Sequence, residues 1–257
     1  MTGLAALTGW AEEGLWHIFL VFFRVGAVVS LLPAFGEHSV PARVKLAAAL
    51  AFTLIVAPSI PLFAPEVWAL PALIHYLLTE TLSGLVLGMG FRLFVLALQT
   101  AGSIAAQSTS LAQVFGNAGA EPMPAIGHIL VVSGLALAVM TGLHVRGAAL
   151  MILSYEMLPP GTFPDPTHMM VWGVGHISMA FSLAFTLAAP FLIISLLYNL
   201  TLGVINRAMP QLMVAFVGAP AITAGGLALL LVLSPLMLTV WMSAFNAFMA
   251  APTSVLP

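Results

Sequence analysis

Few side chains in this sequence could do chemistry. Cys is absent, and there are seven His, six Lys+Arg and eight Asp+Glu in 257 residues. The lack of Cys excludes disulfides, thiolate metal sites and cysteine nucleophiles. His168 and His176 are spaced to share a helix face, but no carboxylate on that stretch completes a metal set, so interfacial or capping His is the expected reading. There is no G-x-S-x-G, no P-loop and no H-E-x-x-H, and Gly88-x-Gly90 lacks the third glycine of a dinucleotide site. The residues therefore predict no enzyme, no metal and no cofactor.

Charges set inside apolar runs are a stronger lead. Arg24, Glu80 and Arg92 all interrupt long hydrophobic stretches, and a charge in hydrocarbon costs several kcal/mol unless it lines a pathway or finds a buried partner. Glu80 and Arg92 lie about 18 Å apart along one helix, too far to pair with each other. A single deep acid is not a carboxylate relay, so these charges are expected to pair with other helices or other subunits.

The elements that must position them follow from composition. Hydrophobic residues make up 61% and charged residues 5%, for a net charge of −2, against about a quarter charged in soluble domains. A soluble globular fold is excluded, and six basic residues cannot build a nucleic-acid surface. What remains is a polytopic membrane protein or a very apolar subunit buried among partners. Spans of about 20 apolar residues are the unit of such a chain. Six hydrophobic blocks qualify: 15–35, 46–63, 70–106, 125–143, 169–202 and 212–250. The long blocks could fold as hairpins to give eight helices, with kinks or breaks at Pro190, Pro220 and Pro235. Residues 1–13 carry no Lys or Arg, so the first segment is expected to be retained rather than cleaved. Arg43, Lys45 and Arg207 place two loops on the cytoplasmic side, with Arg146 against the pattern.

Two patterns mark the third block. Gly84-x-x-x-Gly88, then Gly102, Ala106 and Ser110 at four-residue steps, would let helix backbones approach closely. Gln99, Ser103 and Gln107 run down a neighbouring stripe, which must face protein or a water-filled lumen. Internal packing and lumen lining both remain open. The segment that follows, 108–124, is too polar and too rich in Gly and Pro to continue the helix, and reads either as a surface loop or as backbone lining a cavity.

Two strings carry a family resemblance. SVPARVKLAAAL (39–50) contains Pro41, Arg43 and Lys45 and is followed by APSIP. INRAMPQLMVAFVGAP (205–220) contains Asn206, Arg207, Pro210, Gln211, Phe216, Gly218 and Pro220. Both resemble the flagellar biosynthetic protein FliR family and its virulence type III secretion counterparts, in order and spacing over essentially the whole chain. The chain departs from the pattern at Gln107-Ser108-Thr109 and at Gly116-Asn117.

The resemblance implies an all-α, membrane-associated, non-enzymatic subunit of the flagellar type III export gate, without cofactors, in the bacterial inner membrane and flagellar basal body. Implied partners are the export-gate P and Q proteins around one R copy, the FlhB-type switch subunit, the basal-body ring and exported unfolded proteins. It also implies a P-like part, 1–168, that includes a plug loop at 108–124, followed by a Q-like helical hairpin, 169–257. LAAPFLIISLL (187–197) resembles the start of the Q protein's first long helix. In the plug, Gly116 and Gly119 would supply backbone freedom, Phe115 and Met123 apolar bulk, and Asn117 the departure noted above. Pro122 and Pro124 would keep the loop from winding into the next helix. A polytopic solute transporter is the alternative, but it would want an internal repeat around a midplane site, and no repeat is found.

Because its glycine and polar stripes need protein neighbours, the chain purified alone in detergent is expected to be protease-sensitive and to melt without a cooperative transition. A protease-resistant monomer with a sharp thermal transition would contradict this reading.

Overall fold

The computed structural model describes residues 2–63, 70–110, 125–209 and 214–253. Every element in them is helical: α1 (Thr2–Leu31), α2 (Ala42–Val56) with a 3-10 turn (Ala57–Ser59), α3 (Leu70–Ser110), α4 (Ala125–Met140), α5 (Leu143–Met157), α6 (Pro166–Ala208) and α7 (Val214–Ala250). Five of these helices are long and apolar enough to cross a membrane. An all-helical membrane protein is what hydrocarbon requires, because helices satisfy their backbone hydrogen bonds internally.

Local chemistry sets the boundaries. Pro41 is the N-cap of α2, with φ −58° and ψ 144°. Its carbonyl accepts from the N–H of Val44 at 2.9 Å and of Lys45 at 3.2 Å. Asp165 caps α6 through its carboxylate, which accepts from the His168 N–H at 3.1 Å, and Pro166 occupies the first helical position, where its missing N–H costs nothing.

The long blocks are not hairpins. α3, α6 and α7 are single helices of 41, 43 and 37 residues. Pro190 sits inside α6 and Pro235 inside α7 without ending either helix. Such a proline removes one hydrogen bond, which the intact turns on both sides of it outlast.

The helix absent from the six-block count is α5. His144, Arg146, Tyr155 and Glu156 dilute its hydropathy, and Gly142 in the left-handed region (φ 85°) separates it from α4. Its buried residues Leu143, Gly147, Leu150, Met151 and Ser154 nevertheless recur with helical spacing.

The chain divides into two compact units, each assembled from separate stretches. The first takes Met1–Leu93, Ala138–Gly175 and Met249–Val255. Its core is built from Leu20, Val25, Val28 and Leu32 of α1, Phe52 and Val56 of α2, Phe91 of α3 and Met151 of α5, all buried. α1 and α3 come together at Gly84 and Gly88. A Cβ on Gly84 would overlap the Arg24 carbonyl, and one on Gly88 would lie 2.9 Å from the Leu31 Cβ.

The second unit takes Phe94–Leu137, His176–Phe248 and Leu256–Pro257. Its centre is aromatic. Trp241 stacks on Phe245 with centroids 5.1 Å apart, and Phe94 meets Phe245 edge to face and Phe248 at a tilt. The indole N–H of Trp241 donates to the Phe94 carbonyl at 2.9 Å. Here α3 meets α4 at Gly102 and Gly127, where a Cβ on Gly102 would overlap the Gly127 Cα.

Replacing Gly102 with Val must push these two helices apart. The expected loss is roughly 1–3 kcal/mol, as for other overpacked cores, seen as a lower melting temperature of the purified export complex. An unchanged melting temperature would show that the α3–α4 approach is not tight.

Candidate functional site

Three helices of the first unit converge on one buried ionic cluster. Arg24 of α1 reaches Glu80 of α3 through two parallel bonds, Nε to Oε2 and Nη2 to Oε1, each 2.9 Å. Its remaining nitrogen, Nη1, donates to the Ser154 carbonyl at 3.2 Å and to Ser154 Oγ at 3.3 Å on α5. The Tyr155 ring covers the guanidinium, its centroid 3.8 Å from Cζ. Arg24 and Glu80 are 1% and 0% exposed, so the pair is sealed from solvent.

The local sequence explains the geometry. Gly84, one turn after Glu80, lets the α1 backbone come close enough for a bidentate contact, and the guanidinium fork matches the carboxylate in shape as well as charge. The second intramembrane cation is also paired. Arg92 Nη1 donates to Glu37 Oε1 at 2.8 Å, in a half-buried setting.

These charges therefore pair with other helices and loops of the same chain. With both carboxylate oxygens of Glu80 held by one guanidinium, the arrangement is a clamp rather than a proton relay. Among the described residues no three His, Asp or Glu come together as a metal set. His168 instead pairs with Asp165 at 2.6 Å on the exposed first turn of α6, and His176 is buried against Phe248.

The residues singled out by the sequence fall in several places. Pro41 caps α2, Arg43 is exposed in its first turn, and Lys45 is half-buried with Nζ donating to the Gly36 carbonyl at 3.0 Å. Gln99 and Ser103 are half-buried and Gln107 is exposed, on a face of α3 beside the buried Leu98, Ala101 and Ala105. Asn206 and Arg207 are exposed on the last turn of α6. Gly218 and Pro220 fall within α7. Phe115, Gly116, Asn117, Gly119, Met123, Pro210 and Gln211 lie outside the described residues.

Sequence reasoning missed Glu37, Ser154 and Tyr155. Glu37 sits in a polar loop outside the apolar runs, and nothing in the run around Tyr155 signals a cation partner. The sequence does hold about as many acids as bases, which is what charges neutralised within the chain require.

The family model described as bacterial export proteins, family 1, matches residues 15–248. The chain is similar to the flagellar biosynthetic protein FliR of Caulobacter vibrioides, 35% identical over 214 residues that cover 82% of this chain and 85% of the relative. It is similar to the FliR of Escherichia coli at 31% identity, covering 85% and 84%, and to that of Aquifex aeolicus at 29%, covering 91% and 90%.

Breaking one side of the Arg24–Glu80 pair strands a buried charge. Arg24→Met or Glu80→Leu alone is expected to lose roughly 3–5 kcal/mol, whereas the double variant recovers most of it, because both charges leave together. Thermal unfolding of the purified complex distinguishes these outcomes. Single and double variants of equal stability would refute the clamp.

Proposed function

This chain belongs to family 1 of the bacterial export proteins, the FliR family, and from that premise we propose how it works within an export gate. It is a membrane-embedded component of the flagellar type III export apparatus. Our reading adds that it acts without chemistry of its own, in the inner membrane at the flagellar basal body. Its neighbours would be the P and Q proteins of the gate around a single R copy, the FlhB-type switch subunit and the basal-body ring, with unfolded proteins exported past it.

The observation that carries this reading is helix length against surface character. α6 is 43 residues long, about 65 Å, roughly twice the hydrocarbon thickness. Large apolar side chains are exposed along it from Met170 through Phe181, Phe185, Ile193 and Leu196 to Val204, about 51 Å, with few polar side chains between them, such as Ser182, Thr186 and Asn199. A lipid bilayer covers only part of such a stripe even with ordinary tilt. The rest must lie against other protein, as in a subunit packed among helical partners. α6 begins close to residue 168, which supports a division into a P-like part (1–168) and a Q-like hairpin (169–257).

Closure is assigned to the plug segment 108–124, whose first three residues belong to the last turn of α3 and not to the loop expected from the sequence, with Phe115 and Met123 as filler and Gly116, Asn117 and Gly119 as the pliant part. Gln99, Ser103 and Gln107 would line the approach to it. An open path wide enough for an unfolded chain leaks ions unless something fills it. Deleting 116–121 is expected to leave the complex assembled and to raise its conductance in a reconstituted bilayer. If the shortened complex assembles and stays as tight as the parent, the loop is only a connector.

The turn that includes Asn206, Arg207, Pro210 and Gln211 is the second site of this reading. Arg207, exposed on the last turn of α6, would touch a neighbouring subunit. Arg207→Glu should lower both complex yield and export, measured by copurification and by secretion of flagellar proteins. Normal yield with normal export would remove Arg207 from any interface.

A further inference from the structure

A groove on the first unit has one charged end and one greasy end. It holds about 430 Å³ between α1, α2 and α3. Phe22, Phe23 and Gly26 of α1, Ala49 of α2 and Leu85 of α3 form its walls, and Ser30 and Lys45 stand at its rim. The order of these residues gives it a depth. α3 runs alongside α1 in the same direction, with Gly84 against Arg24 and Ala27 and Gly88 against Leu31. Ser30 and Lys45 therefore lie toward one end, at the α1–α2 turn, Leu85 beside the middle, and Phe22 toward the other end, about 12 Å from Ser30 along α1.

The charge at the rim is unbalanced. Lys45 spends one donor on the Gly36 carbonyl at 3.0 Å, and an ammonium has three. Arg43, exposed two positions before it, has no carboxylate partner among the described residues. Glu37, the acid of the same turn, is already neutralised by Arg92 at 2.8 Å. α1 and α2 are both long and apolar enough to cross a membrane, and this turn joins them, so the rim sits where a bilayer keeps its phosphates.

The geometry points to a binding site for one anionic phospholipid, with its phosphate on Lys45 and an acyl chain along Phe22, Phe23 and Gly26. An apolar groove alone would take any tail. A half-buried lysine at its mouth with spare donors, beside an acid that is already paired, selects a negatively charged headgroup. This inference rests neither on the plug loop nor on the subunit interfaces proposed above.

Native mass spectrometry of the purified export complex, with phosphatidylglycerol or phosphatidylcholine added, tests it. Phosphatidylglycerol should be retained about fivefold better, the weight of one lysine near an anionic headgroup. Lys45→Gln removes the charge but keeps a side-chain N–H donor, and it should remove that preference. Gly26→Leu should reduce retention of both lipids, since a Cβ there meets only the Phe22 ring, at 3.9 Å, and the longer side chain enters the groove.

Equal retention of the two lipids by the parent complex would overturn the site. So would a preference that survives Lys45→Gln, or lipid retention unchanged by Gly26→Leu. Cross-linking of Gly26→Cys to another subunit in the assembled complex would show that protein, not lipid, fills the groove.

Discussion

Hydrocarbon offers no hydrogen bonds, so each polar group that leaves water in this molecule must be met by another part of the protein. For the backbone the solution is helix in every regular element among the described residues. For side chains it is a small set of long-range contacts, each joining segments far apart in sequence. Arg24 meets Glu80 and Ser154, Arg92 meets Glu37, and the Trp241 indole meets the Phe94 carbonyl. Ser195 Oγ donates to the Ser108 carbonyl near the end of α3, where a helix has no internal donors left to offer.

The same constraint decides how these contacts act energetically. A buried ion pair adds little over a well-packed apolar pair of the same volume, yet losing one partner is severe. Arg24 and Glu80 therefore act less as glue than as a rule about register. Of the ways α1 and α3 could slide along each other, the one that fits also closes the guanidinium on the carboxylate and seats Gly84 against the α1 backbone. Tyr155 and Ser154 tie α5 into that register.

Surface character sets the second boundary of the design. Large apolar side chains are exposed along α1, α2, α3, α6 and α7, and the longest helices outrun a bilayer. Lipid and protein neighbours must then share the coverage. Where the outer surface carries an unpaired cation above a groove, as at Lys45, a lipid headgroup fits the chemistry. Where it is apolar over a length no membrane matches, another helix does.

Composition and hydropathy alone determined that this chain is helical, apolar and membrane-associated, and placed most of its helices. The strings around Pro41–Lys45 and Asn206–Pro220 carried the family. Such properties are legible because they are local sums: whether a residue avoids water depends mainly on its own side chain and its near neighbours. α5 was hidden because its few polar residues lowered that sum, although two of them, Ser154 and Tyr155, lie buried against Arg24 of α1 and help give the helix its place. The partners of Arg24, Glu80 and Arg92 were decided only by the tertiary structure. A charge in an apolar run announces that it needs a partner, but which one it finds depends on the register of elements 55 or more residues apart. That register follows from glycines in close contact and from packed side chains, which no sum over neighbouring residues contains.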